Sequence, residues 1–259
     1  MEFLIFGWKQ VRACVFAGSF LAVLLLSKHL PLGSLARYDF ILLAALVIQA
    51  LLLALRVETL AEAAVLMAFH LLGLGLEWFK TQPHIGSWSY PEAAMTKLGT
   101  VPLYSGFMYA AVASYMCQSW RLLRLRLTGY PPHTLSLLLS AAIYANFFTR
   151  HWIGDFRWWL VAAVLAVFAR TRVHFTVRVR ERAMPLVVSF VLIGFFVWVA
   201  ENVATFFGAW VYPNQQHAWA AVAAGKISSW ALLVIVTFIL VADLKHVREG
   251  DDTVSRGRR

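Results

Sequence analysis

Apolar residues along this chain gather into eight long runs separated by short polar or proline-bearing breaks. The runs predict helices at about 12–30, 38–55, 58–79, 98–120, 133–150, 152–169, 185–207 and 217–242. A span of roughly 20 apolar residues crosses a bilayer, so most of these runs are long enough to do so. They are continuous and do not alternate at every second residue, which argues against an outer-membrane barrel. The expected fold class is therefore all-α: a polytopic helical membrane protein with about eight transmembrane helices.

Composition sharpens this. Of 259 residues, 61% are hydrophobic and 14% charged, whereas soluble domains are about 45–50% apolar and about 25% charged. Too few residues remain for a second, soluble domain, so 1–259 reads as one transmembrane domain. A net charge of +10 would suggest nucleic acid in a soluble protein. Here it follows the positive-inside rule: with the N-terminus in the cytoplasm, 16 Lys and Arg fall inside and 6 outside. The expectation is an inner (plasma) membrane protein with both termini cytoplasmic, membrane lipids as partners and no nucleic acid partner. The basic run from Arg170 to Arg182 reads first as an orienting loop, and second as a contact with the anionic inner leaflet. Residues 246–259 read as a disordered basic tail. Lys9 and Arg12 precede an apolar run ending at Leu26, with no small-x-small cleavage site after it, so the first span is read as uncleaved. Cys14 and Cys117 are expected to be free thiols.

Two stretches echo each other. One carries Glu77, Gly86, Trp88, Tyr90, Pro91 and Lys97; the other carries Glu201, Gly208, Trp210, Tyr212, Pro213 and Lys226. The Gly-x-Trp-x-Tyr-Pro core recurs at an offset of 122 residues, the glutamates at 124 and the lysines at 129. Each copy links an outgoing helix ending in Glu to a returning helix opened by Lys. With four helices per half, at about 1–128 and 129–245, both halves run the same way. This is a parallel 4+4 repeat, unlike the inverted repeats common in alternating access. Both loops face outward. Any one of their aromatics could belong to an interfacial belt, but the repeated motif suggests matched caps on the outer end of the bundle.

Ionisable groups within spans are costly and normally face the bundle interior. His70, Gly73, Glu77 and Lys80 share one helix face, as do Gly194, Trp198, Glu201, Asn202 and Thr205. Other intramembrane polar positions are Ser105, Met108 and Tyr109, then Asn146, Thr149 and Arg150, and Lys226, Ser229 and Trp230. A pseudo-symmetric centre would bring Glu77 and Glu201 to one cavity with Lys97 and Lys226 above them. Those four are the candidate catalytic residues, and His70, Trp88, Tyr90, Tyr109, Trp198, Asn202, Trp210 and Tyr212 the candidate substrate-binding ones. Structural alternatives stand beside each. Glu77 with Lys80 could be a helix-end pair, Lys226 could snorkel outward, and Glu201 with Lys226 could be a buried ion pair. Glu62 and Asp243 lie near inner ends, where they would be solvated or paired. The eight histidines form no H-x-x-x-H or H-x-x-H-H group, and no G-x-x-x-x-G-K-[ST] loop or G-x-S-x-G elbow occurs. No metal and no cofactor is expected.

The segments EWFK, GSWSYPE, VPLYSGFMYA from Val101 and AENVATFFGAWVYPNQ from Ala200 resemble a bacterial integral-membrane family catalogued as domain of unknown function 817. The resemblance runs from about Leu60 to Val241 and implies no particular activity. A fainter similarity, through Glu77, Tyr90 and Pro102, is to carotenoid-modifying membrane proteins, the bisanhydrobacterioruberin hydratases and small lycopene cyclases. That similarity implies acid–base chemistry on polyenes without redox cofactors.

Two functions follow. One is an intramembrane acid–base enzyme acting on an isoprenoid or carotenoid-like lipid. In it a buried carboxylic acid protonates a double bond, while the second carboxylate and the indoles stabilise the cation. The other is a transporter or channel for a small solute, a cation among the options, with the paired glutamates as coupling or binding groups.

Overall fold

The computed structural model describes residues 1–256, with side chains placed through Ala242. Residues 257–259 and the side chains from Asp243 onward lie outside that description, so of the tail expected at 246–259 only the backbone as far as Arg256 is described, as helix. The described chain is mostly helical, with nine α-helices and five short strands.

Each expected helical run contains a helix, but several boundaries move for identifiable reasons. The first run is two helices, α1 (Glu2–Ala13) and α2 (Val15–Leu26), bent by 64° at Cys14. The polar residues of α1 explain the bend. Lys9 donates to the Thr176 carbonyl, Gln10 accepts from Tyr115, and Glu2 pairs with Arg182. These contacts lay α1 across one end of the molecule instead of along the helix axis. α3 (Arg37–Ala54) and α4 (Leu60–Lys80) follow. α4 starts where it does because Thr59 and Glu62 form a reciprocal capping box. Glu62 is thereby satisfied, with Arg121 a further 3.4 Å away.

The helix expected from residue 98 begins later, as α5 (Gly106–Leu122). Gly99 and Pro102 divert the chain into a hairpin of β1 (Lys97–Leu98) and β2 (Val101–Pro102), followed by one 3₁₀ turn. After β3 (Arg126–Thr128) come α6 (His133–Thr149) and an 11-residue α7 (Arg157–Val167). The basic stretch after it is not an open loop. It forms β4 (Arg172–Thr176) and β5 (Glu181–Pro185), which join β3 in an antiparallel sheet of order β3-β4-β5, with Leu127 opposite Val173 and Val173 opposite Met184. α8 (Leu186–Phe206) and α9 (Lys226–Arg256) complete the chain. α9 starts nine residues later than expected, because 217–225 is a loop.

α3, α4 and α8 are long and apolar enough to cross a membrane, and the α1–α2 pair is a fourth such span if its bend is counted through. That is consistent with a membrane protein. The core is built on two tight pairs, α4 on α5 and α8 on α9. Each crosses at a glycine: a Cβ on Gly73 would lie 2.4 Å from the Tyr109 ring, and one on Gly194 would lie 2.9 Å from the Ala231 backbone. Polar connections separate into two ends. At one, α1, the α3–α4 turn, Arg121 and the sheet meet. At the other, Arg37, Glu92, Gly208, Lys80 and His151 gather with the two motif loops.

Candidate functional site

Glu77 sits one turn beyond Gly73 on the buried face of α4. Only 2% of it is exposed, so its oxygens must be satisfied internally. The first motif loop does this. Gly86 turns the chain back with φ of +56°, a conformation glycine adopts without a Cβ penalty. Trp88 Nε1 and the Tyr90 hydroxyl then both donate to Glu77 Oε2 at 2.7 Å, and Tyr109 from α5 donates to Oε1 at 2.8 Å.

Glu201, 3% exposed, is served in the same manner from α8. Gly208 turns the second loop with φ of +71°, and the Tyr212 hydroxyl donates to Oε1. The indole that completes the shell is not Trp210 but Trp230, from the first turns of α9, at 2.6 Å from Oε2. The two loops touch directly. Ser89 and Val211 exchange both backbone hydrogen bonds, at 2.9 and 3.0 Å, as an isolated antiparallel bridge.

Between the two carboxyl groups lies one cavity of about 60 Å³. Glu77, Glu201, Trp88, Tyr109, Trp210, Tyr212 and Lys226 all line it. Burial, and then the nearby glutamate charges, push the phenols of Tyr90 and Tyr212 well above their ordinary range. Both therefore stay protonated and donate. Lys226 lies over the ring of Tyr212, 4.5 Å from its centroid, and reaches its hydroxyl at 3.4 Å.

The structure thus brings together most of the expected site and redistributes the rest. Lys97 is not above the carboxylates. Its ammonium donates to the Tyr90 and Glu92 carbonyls at 2.8 and 2.9 Å, pinning the first loop. His70 lies deeper along α4 against the Phe107 ring, with a buried Nδ1 that has no hydrogen-bond partner, and does not line the cavity. Trp198 donates to the Val222 carbonyl and Asn202 accepts from the Val222 N–H, so this pair shapes the loop before α9. Tyr90 acts through Glu77 from behind the wall. Neither alternative ion pair forms: Lys80 turns to His151 Nε2 at 2.8 Å, and Lys226 bonds Tyr212 and not Glu201.

Four polar groups of the cavity wall stood outside the candidate catalytic and binding residues: Lys80, Arg150, Ser229 and Trp230. Spacing offered a signal for three of them, since Lys80 is three residues from Glu77, and Ser229 and Trp230 are three and four from Lys226. Arg150 was marked in the sequence only as an ionisable group at the end of a span, and it reaches the cavity because α6 ends beside it. His151 is held below the ordinary imidazole range by burial and then by the charges of Lys80 and Arg150, so its ring is neutral. Neither Cys14 nor Cys117 is in a disulfide among the described residues.

Among known proteins, the family model described as "Protein of unknown function (DUF817)" matches residues 2–238. A relative from Bacillus subtilis (strain 168), the "Uncharacterized protein YoaT", is 50% identical over 248 residues, covering 96% of this chain and 93% of its own. No solved structure matches. The motif loops and both carboxyl shells fall within the matched residues, and the chain belongs to the DUF817 family.

Proposed function

We propose that this is a multi-pass protein of the plasma membrane whose central cavity binds and passes a small polar solute, with Glu77 and Glu201 carrying protons. One observation carries the reading: two buried carboxyl groups from separate helices line the same small space. By this measure a water needs roughly 10–15 Å³, so about 60 Å³ suits a few waters or a compact solute. It is small for the chain of an isoprenoid. The acid–base enzyme uses the same carboxyls and aromatics and stands second on that ground, with a hydrophobic lipid as its substrate.

Membrane placement is supported by the large apolar side chains left exposed on α3 and α8, such as Leu43, Val47, Val191 and Phe196, which suit lipid as neighbour. The bias of basic residues supports cytoplasmic termini. Eight crossings in a parallel 4+4 arrangement would count α1–α2 as one broken span. α5 and α6, at 17 residues each, fall at the short end of the roughly 17–25 that suffice. A two-fold axis along the membrane normal pairs equivalent residues antiparallel. Ser89 and Val211 pair in that way at the repeat's own offset of 122 residues.

The test is proton flux in proteoliposomes holding a pH-sensitive dye, with an imposed membrane potential. The wild-type chain should dissipate the gradient, and the Glu77→Gln/Glu201→Gln variant should fall to the rate of empty vesicles. Equal flux from both proteins would sink the proposal.

A further inference from the structure

We infer that the cavity binds a small monovalent anion between Lys80, Arg150 and Lys226. This rests on reading the cavity as a solute site and names the class of solute. Three basic side chains line the cavity, and none forms an ion pair with a carboxylate among the described residues. Lys80 is only 1% exposed. Its ammonium meets the neutral His151 ring at 2.8 Å, which supplies no counter-charge.

The nearby acids are committed elsewhere. Asp155 is held by the Arg157 guanidinium at 2.6 Å, by the Arg157 N–H at 3.0 Å and by Asn146 at 3.4 Å. Arg157 in turn reaches the Gly225 carbonyl and Ser228. Glu77 and Glu201 accept from five phenol and indole donors between them. On the cavity wall three basic side chains stand against two carboxyl groups, an excess of one basic group. An uncompensated buried charge is expensive, and one monovalent anion removes the excess while a dianion overshoots it. The Ser229 hydroxyl, also on the cavity wall, adds a neutral donor. The volume admits a halide or a compact oxyanion.

Isothermal titration of the full chain in lipid discs, in gluconate buffer, tests this with chloride, nitrate, formate and sulfate as separate probes. At least one monovalent probe should bind saturably with one site per chain. Lys80→Met, Arg150→Gln and Lys226→Met should each weaken it roughly tenfold or more. Arg178→Gln, the same charge change on the sheet hairpin, should leave it within about twofold of wild type. Three independent variants keep the test alive if one fails to fold. Absence of saturable monovalent binding, preference for sulfate, or affinity untouched by the cavity variants would overturn the inference. Proton flux is read on the same preparation. Flux without anion binding overturns this inference alone, whereas loss of glutamate-dependent flux removes the solute reading with it.

Discussion

Gly73 is a place of close approach between α4 and α5, and it lies one turn before the carboxyl of Glu77. A methyl group there would overlap the Tyr109 ring at 2.4 Å, and Tyr109 cannot retreat without stretching its 2.8 Å bond to Glu77. Gly73→Ala should therefore destabilise the protein by about 1–3 kcal/mol, the usual cost of overpacking. Gly75, on the exposed side of the same helix, has open space around its Cβ position. Gly75→Ala should be neutral or stabilising by up to about 1 kcal/mol. Thermal unfolding in one detergent compares the two, and equal melting temperatures would contradict the close crossing. At this scale the sequence was largely legible. Helical spacing put Gly73, Glu77 and Lys80 on one face, and the cost of a membrane charge marked Glu77 and Glu201. Which donors satisfy each carboxylate was not legible, because Tyr109 and Trp230 arrive from other helices.

The two motif loops are the elements on which the site depends. Their glycines both take positive φ, and their central residues form the Ser89–Val211 bridge. Hydrogen-bonded antiparallel pairs have Cα atoms about 5.5 Å apart, a separation a disulfide spans. In a background lacking Cys14 and Cys117, Ser89→Cys/Val211→Cys should oxidise in intact membranes and lose both reactive thiols in a maleimide gel-shift assay. Two persistently free thiols would mean that the loops do not meet. The motif was visible as a repeat of residue types, yet the loops are not used identically. Trp88 serves Glu77, but Trp210 lies in the wall while Trp230 serves Glu201. Lys97 was misplaced for a related reason: carbonyls of its own loop capture its ammonium before it can reach the cavity.

At the scale of the whole molecule, charge counting gives each loop an expected side of the membrane. A cysteine at Ser34 should react with an impermeant maleimide on intact cells, and one at Val179 only after permeabilisation. The reverse pattern would invert the proposed orientation. Apolar runs and their lengths determined by themselves that the chain is helical and suited to a membrane, because burying a backbone in lipid demands helices with internal hydrogen bonds. Residue spacing likewise determined which carboxyls share a face with which glycines. Only the tertiary structure decided that the basic stretch closes into a sheet, that α1 folds across one end, and that Arg150 and Lys80 join the glutamates around one space. Those outcomes depend on contacts between segments far apart in the chain, and such contacts leave no local periodicity to read.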